Sequence, residues 1–386
     1  MPDIHAARRE RTQKKAAGLG ADAVLVTSPP NVRYLTGLAS SNAALLLPAS
    51  GRGVLATDSR YELAARRDCP DLELTVGRFI EPLLAAEMPR RGMRRVAFEA
   101  HEMTVERHAE LLAVAGNTSF VSFGKVIEEL REVKDPSEIE LIATACRISA
   151  QAFADLLPRI RPGVTERAVS RELEHRMSEL GADKPAFDTI VASGPNGAIP
   201  HHAPADRPIR RGDLVTIDFG ARYGGYHADM TRTIAIGEPA GWQRDIYDLV
   251  ATAQQAGIAA LRPGAEVGAV DAAARDLISG AGHGQHFQHG LGHGIGLEVH
   301  EAPMMGYGRT GKLQSGVPVT VEPGVYLPGR GGVRIEDVLV VRPGVSGGPG
   351  RPGGSGAAGA AGATAGGEKP PAAQILTTTT RELLAL

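Results

Sequence analysis

At 386 residues, the chain is longer than one ordinary core organises and points to two domains, or one large one. Its 42% hydrophobic and 22% charged residues describe a soluble globular protein, and a net charge of −2 leaves no global basic field for nucleic acid or an anionic membrane. No run approaches the ~18 consecutive apolar residues of a membrane span, and the start of the chain, with Asp3 and His5, lacks the apolar region of a secretory signal.

The first helix is predicted over Arg8 to Gly18, stopped at Gly20, with Arg8, Arg9, Arg11, Lys14 and Lys15 read as its solvated face. Ala23 to Val26 is a short buried strand, and Ser28-Pro29-Pro30-Asn31 a turn. Ala43 to Leu47 and Arg95 to Phe98 are further strands, so residues 1–125 form an α/β domain that carries nothing catalytic. The charged stretch 126–137 marks the boundary, and Ser137 with Glu140 reads as a capping box for a helix starting near Glu138.

The second domain, 126–386, continues with a helix (Glu166–Leu180), a strand (Thr189–Ala192) and a hairpin across 213–236. A helix at 243–261, a glycine- and histidine-rich stretch and a second hairpin across 317–341 follow. Residues 343–371, dominated by Gly, Ala and Pro, bury too little apolar surface to offset their ordering entropy and are expected to be disordered. Strand character returns at Gln374 to Thr377, which makes that segment an insertion within the last hairpin.

A weak internal repeat links the two hairpins. Residues 212–218 read Gly-Asp-Leu-Val-Thr-Ile-Asp, and residues 316–322 read Gly-Val-Pro-Val-Thr-Val-Glu. Strand alternation puts the threonine and the terminal carboxylate, Asp218 or Glu322, on one face. Each strand then turns through glycines (Gly224-Gly225, Gly331-Gly332) into a return strand carrying Asp229 or Glu336. Any one of these acids alone reads as a turn residue or a surface pair. Four converging carboxylates, however, would repel or hold protons, and divalent ions resolve both problems. An oxygen-rich set with one imidazole suits Mn²⁺, with Co²⁺ or Zn²⁺ as substitutes, and the number of ligands suggests two ions. Five histidines, His283, His286, His289, His293 and His300, crowd the intervening stretch, where glycines permit close backbone approach. Read alone they could equally be a loose tract binding metal adventitiously.

The chain resembles the creatinase/aminopeptidase family with the pita-bread fold, in its Xaa-Pro peptidase branch (aminopeptidase P and prolidase). The matching segments are Ile190-Val-Ala-Ser-Gly-Pro-Asn-Gly-Ala-Ile-Pro-His201, Ile217-Asp218-Phe-Gly and Asp229-Met-Thr-Arg-Thr. Further on come His289-Gly-Leu-Gly-His293, Val299-His300-Glu, Glu322-Pro-Gly-Val-Tyr and Arg334-Ile-Glu336-Asp. They span about 126–342 in the family's order. Ser28-Pro-Pro-Asn-Val-Arg-Tyr-Leu-Thr-Gly37 is similar to the family's first domain, which methionine aminopeptidases lack.

The resemblance implies an α+β architecture, a pita-bread catalytic domain behind a smaller creatinase-like α/β domain, and a peptidase cutting between an N-terminal residue and proline. It implies that Asp218 chelates one metal, Asp229 and Glu336 bridge two, and His293 and Glu322 complete the other. Glu322 would also be general base, His201 and His300 would bond the scissile amide or oxyanion, and His289 and Arg334 would orient ligands. His202 and His227 read as peripheral. A homo-oligomer, a dimer, is expected from the family and from a first domain without chemistry of its own. Cys69 and Cys146, far apart and without a CxxC, fit a cytoplasmic protein. Two alternatives remain: a metal-free creatinase-like amidinohydrolase, which dispenses with the ligands present here, and an inactive pita-bread binding scaffold.

Overall fold

The computed structural model describes residues 2–342 and 373–386, so the disorder expected for 343–371 lies outside the described residues. The chain divides into two units, 1–131 and 132–386. The division falls slightly beyond the expected 125/126 because the helix Val126–Glu132 is tied to the first unit. Arg131 donates to Asn31 Oδ1 at 2.7 Å, and Asn31 donates to Glu128 at 2.8 Å.

The first unit is a six-stranded mixed sheet in the order Glu73–Val76, Val54–Thr57, Ala43–Pro48, Ala23–Val26, Arg95–Phe98, Ser119–Ser122. Two expectations need correction here. Ser28-Pro29-Pro30-Asn31 is not a turn but the start of a helix, Pro29–Thr36. Proline is tolerated in a first turn, where its missing N–H has no intrahelical partner to lose. The basic cluster is not wholly solvated either. Arg8 and Arg9 are buried, and their guanidinium groups donate to the carbonyls of Tyr34 and Leu35 at 3.1 and 2.7 Å, capping the end of that helix.

The second unit is built as two similar halves. In the first, helices Pro136–Leu156 and Glu166–Glu179 cover strands Ile190–Ser193, Leu214–Phe219 and Met230–Ala235. Phe153, Leu173, Val215, Ile217 and Phe219 are buried together there. In the second, helices Gly241–Ala260 and Val267–Gly280 cover Gly292–Gly294, Pro318–Val321 and Asp337–Val341, with Val250, Ala274, Val319, Val321 and Leu339 buried together. The helix Val267–Gly280 is absent from the sequence reading, because its Gly/Ala-rich ends hide its periodicity. The capping box also shifts: Asp135 is the N-cap and Glu138 the reciprocal residue, since Pro136 occupies the first helical turn.

The internal repeat is visible in the strands. Leu214–Phe219 pairs antiparallel with Met230–Ala235, and Pro318–Val321 with Asp337–Val341. Between each pair a short hairpin projects, Ala221–Tyr223 with Tyr226–His227 and Gly324–Leu327 with Gly331–Arg334. The strand Ala373–Ile375 returns antiparallel beside Asp337–Val341, as expected of a chain resuming the last hairpin. Threonines on the non-core face stitch the halves together. Thr233 Oγ1 donates to Arg334 O at 3.0 Å, Thr216 Oγ1 to Gly332 O at 3.3 Å, and Glu336 N to Thr231 O at 3.1 Å.

One buried anion holds this seam. Asp337, with no exposed side-chain surface, accepts from Arg232 at 2.6 Å, Gln254 at 2.8 Å and Arg381 at 2.6 Å, and from Thr377. Asp337→Ala strands the buried Arg232 guanidinium. It is expected to cost about 3–5 kcal/mol, read as a fall in the denaturation midpoint. A midpoint within error of wild type would show that the pair contributes nothing.

Candidate metal centre

The alternation that sends Val215, Ile217 and Phe219 into one core turns Thr216 and Asp218 to the opposite face. The same logic sends Val319 and Val321 inward and leaves Thr320 and Glu322 facing Asp218's half. The return strands then bring in Asp229 and Glu336, both buried. His293 lies in the short strand Gly292–Gly294. A Cβ at Gly292 would stand 2.1 Å from Thr320 O, and one at Gly294 2.1 Å from Ala302 O. Only glycine on each side lets this strand seat His293 so close to its neighbours.

The ligating atoms fall into overlapping groups, each within 4.8 Å: Asp218, Asp229 and Glu336; His293, Glu322 and Glu336; and Asp229, His293 and His300. All five residues expected as ligands are therefore brought together. The third group adds His300, whose ring meets that of His293 edge-on at 4.3 Å.

The donor set suits a cation. His293 Nδ1 donates to Gly294 O at 3.0 Å, and burial pushes the ring down to about 4, so it is neutral. With the carboxylates ionised, its Nε2 lone pair faces Glu322 Oε1 at 3.4 Å and Asp229 Oδ2 at 3.6 Å, acceptor against acceptor. Asp218 Oδ1, Asp229 Oδ1 and Glu336 Oε1 are buried without any hydrogen-bond partner. Burial, with the charges of neighbouring carboxylates, raises Asp229 and Glu336 well above the usual carboxylate range. Burial and the Asp218 charge push Glu322 up to about 8 against the opposing pull of Arg334. Orphaned oxygens and a bare imidazole nitrogen turned toward one another are what divalent ions would satisfy.

A relay of side chains surrounds this cluster. Arg334 Nη2 donates to Asp218 Oδ2 at 2.7 Å, its Nε to Thr231 Oγ1 at 3.1 Å and its Nη1 to Tyr326 Oη at 2.9 Å. Tyr326 in turn meets His289 Nε2 at 2.8 Å, and His289 Nδ1 donates to Gly290 O. Thr231 Oγ1 donates to Glu336 Oε2 at 2.7 Å. Sequence reasoning placed His289 and Arg334 around the ligands but overlooked Tyr326 and Thr231, although both lie within the quoted motifs. It also overlooked Arg275, which donates to Phe287 O and His289 O and is itself held by Asp271.

The cluster floors a cavity of about 660 Å³. His201 and His300, both exposed, line its wall with Phe187, Ile190, Val299 and Met304. His283 and His286 do not line it; their Nδ1 atoms face each other at 3.3 Å. His227 is buried, bonded to Gly296 O.

A unit of two repeated αβ halves with a carboxylate–imidazole cluster at their seam is the architecture of a metal-dependent hydrolase. Residues 140–343 match metallopeptidase family M24, and residues 8–133 match the creatinase/prolidase N-terminal domain. The chain belongs to metallopeptidase family M24, with a pita-bread catalytic domain behind a creatinase-like one. It is 40% identical to an uncharacterized peptidase of Bacillus subtilis, over 86% of this chain and 94% of the relative. With the Xaa-Pro dipeptidase of Pyrococcus horikoshii it shares 36% identity, over 83% and 90%. The solved Xaa-Pro dipeptidase of Bacillus anthracis superposes with a TM-score of 0.88 at 34% identity, covering 99% of this chain and all of that one. The X-Pro aminopeptidase of Thermotoga maritima superposes with a TM-score of 0.85 at 32% identity, covering 98% and 99%.

Proposed function

We propose that this protein hydrolyses the peptide bond between an N-terminal residue and a following proline, in a centre holding two divalent ions. The observation that carries it is the neutral His293 nitrogen turned toward carboxylate oxygens in a nest of orphaned acceptors. Asp218 would serve one ion, His293 and Glu322 the other, with Asp229 and Glu336 shared between them. Mn²⁺ suits an oxygen-rich set with one imidazole, and Co²⁺ or Zn²⁺ would substitute. When bound, such ions polarise the scissile carbonyl and ease the deprotonation of an attacking water.

The chain's own residues do the rest. Glu322, oriented by Thr320 Oγ1 at 3.3 Å, accepts the proton of the attacking water. Arg334, Tyr326 and His289 hold Asp218 and the Glu322 side of the site in register. His201 and His300 donate to the carbonyl oxygen as charge develops on it. The apolar wall of Phe187, Ile190, Val299 and Met304 receives the proline ring. Xaa-Pro dipeptides and Xaa-Pro-Yaa tripeptides, assayed beside their Xaa-Ala counterparts with Mn²⁺, Co²⁺ or Zn²⁺ added, test this reading. Equal rates on the alanine and proline series would remove the proline specificity. The homodimer belongs to the same proposal, and light scattering giving the mass of one chain would remove it.

His201→Ala is expected to lower kcat on the order of 10²–10³, the usual loss for a donor aimed at developing charge, with metal content unchanged. Unaltered kinetics on Xaa-Pro substrates would return His201 to an ordinary turn residue after Pro200.

A further inference from the structure

Glu166 opens the helix Glu166–Glu179, a place where an acid ordinarily points to solvent and merely complements the helix dipole. Here it has no exposed surface. Its Oε1 accepts from Ser193 N and Ser193 Oγ, both at 2.7 Å, and from Asn196 Nδ2 at 2.9 Å. Its Oε2 accepts from His202 Nε2 at 2.8 Å and Ala205 N at 3.0 Å. All these donors lie in one segment, 193–205, which contains His201. Burial alone would push the Glu166 carboxyl up, but the bonds from Ser193, His202 and Asn196 outweigh it and hold it below its ordinary value.

The same segment is held from the site side. Arg334 Nη1 reaches Pro200 O at 3.4 Å while its Nη2 grips Asp218. His201 itself makes no hydrogen bond among the described residues, so its direction depends on how its neighbours are anchored.

We propose that Glu166 is a positioning residue for His201, its carboxylate fixing the 193–205 segment through His202 so that the His201 ring faces the carboxylate cluster. The proposal rests on the role given to His201 above. It also gives His202, read from the sequence as peripheral, a specific part to play, coupling the residue next to His201 to a buried anion. A neutral amide at position 166 cannot do the same, because its NH₂ would face donors that the carboxylate now satisfies.

The test is a double-mutant cycle on the full-length protein, assayed with an Xaa-Pro dipeptide at saturating Mn²⁺, with metal content measured in parallel. Glu166→Gln and His202→Ala are each made alone and together with His201→Ala. Alone, each is expected to lower kcat on the order of tenfold, with KM and metal content within about twofold of wild type. Combined with His201→Ala, each should add less than about twofold, since the residue it positions is gone. His202→Gln, whose amide nitrogen can stand where Nε2 now stands, should recover most of the His202→Ala loss. Losses that multiply with that of His201→Ala would overturn the proposal, as would wild-type kcat in both single variants. His201→Ala retaining wild-type kcat would also overturn it, by removing the role of His201 itself. If Glu166→Gln does not fold, His202→Ala, which deletes one donor at a half-buried position, decides the question.

Discussion

Glu322→Gln is expected to abolish measurable Xaa-Pro hydrolysis, with kcat down by on the order of 10²–10⁴ or more, while the fold persists. The amide is nearly isosteric with the carboxylate, and the strand Pro318–Val321 is held by its pairing with Asp337–Val341 and by Val319 and Val321 in the core. Two losses combine at one atom. The amide carries no charge to offset a cation shared with His293, and it cannot take a proton from water. They separate by measurement. Metal stoichiometry should fall toward one ion per chain, while Asp218→Asn should weaken the other ion and leave the His293 side in place. Excess Mn²⁺ should restore occupancy of Glu322→Gln without restoring turnover. Near wild-type activity in excess Mn²⁺ would make Glu322 a ligand only and leave the general base to be found elsewhere.

How far the residues announced this depends on the kind of signal each carries. Asp218 and Glu322 end alternating apolar strands, and an acid there has no cheap structural explanation, so their convergence was legible in the residues alone. The threonines preceding them, Thr216 and Thr320, were legible as a repeat, but the stitch between halves that Thr216 makes to Gly332 O was not. Glu166 was invisible because a first-turn glutamate is ordinary in a helix, and only tertiary contact shows the carboxylate turned inward. Arg8 and Arg9 misled for the converse reason: charge density reads as solvated surface, whereas two carbonyls at the end of Pro29–Thr36 needed donors. The Pro-Pro pair reads as a break where it is a beginning. In each case the local chemistry is plain in the residues, and long-range partners decide the outcome.

Stripping divalent ions with a chelator should abolish activity and make the protein's stability depend on pH with a definite sign. In the ion-free fold, Asp229, Glu336 and Glu322 all have raised pKa values, first because they are buried. A group raised on folding contributes stability that is complete below its unfolded value and is lost as pH rises through its folded one. For Glu322 that folded value is about 8, against an ordinary 4.5. His289 and His293 act oppositely: both are pushed down to about 4 by burial, so they remove stability as pH falls below 6.5. An unfolded imidazole is still half protonated at pH 6.5, so up to about pH 7.5 these two, with His5, His227 and His300, whose pKa values burial also lowers, offset part of the trend that the carboxylates set. Between pH 6.5 and 8 the ion-free protein should therefore lose roughly 2 kcal/mol from Glu322 alone. Taken alone that is a fall in Tm on the order of 5 °C, with Asp229 and Glu336 adding in the same direction and the histidines opposing it below about pH 7.5. Bound Mn²⁺ should flatten the curve, because an ion holds the same carboxylates in their charged form at no repulsive cost. Calorimetry across that pH range, with and without Mn²⁺, reads both effects. An ion-free Tm that stays level or rises over this window, coinciding with the Mn²⁺-loaded one, would mean that the cluster neither repels itself nor holds an ion.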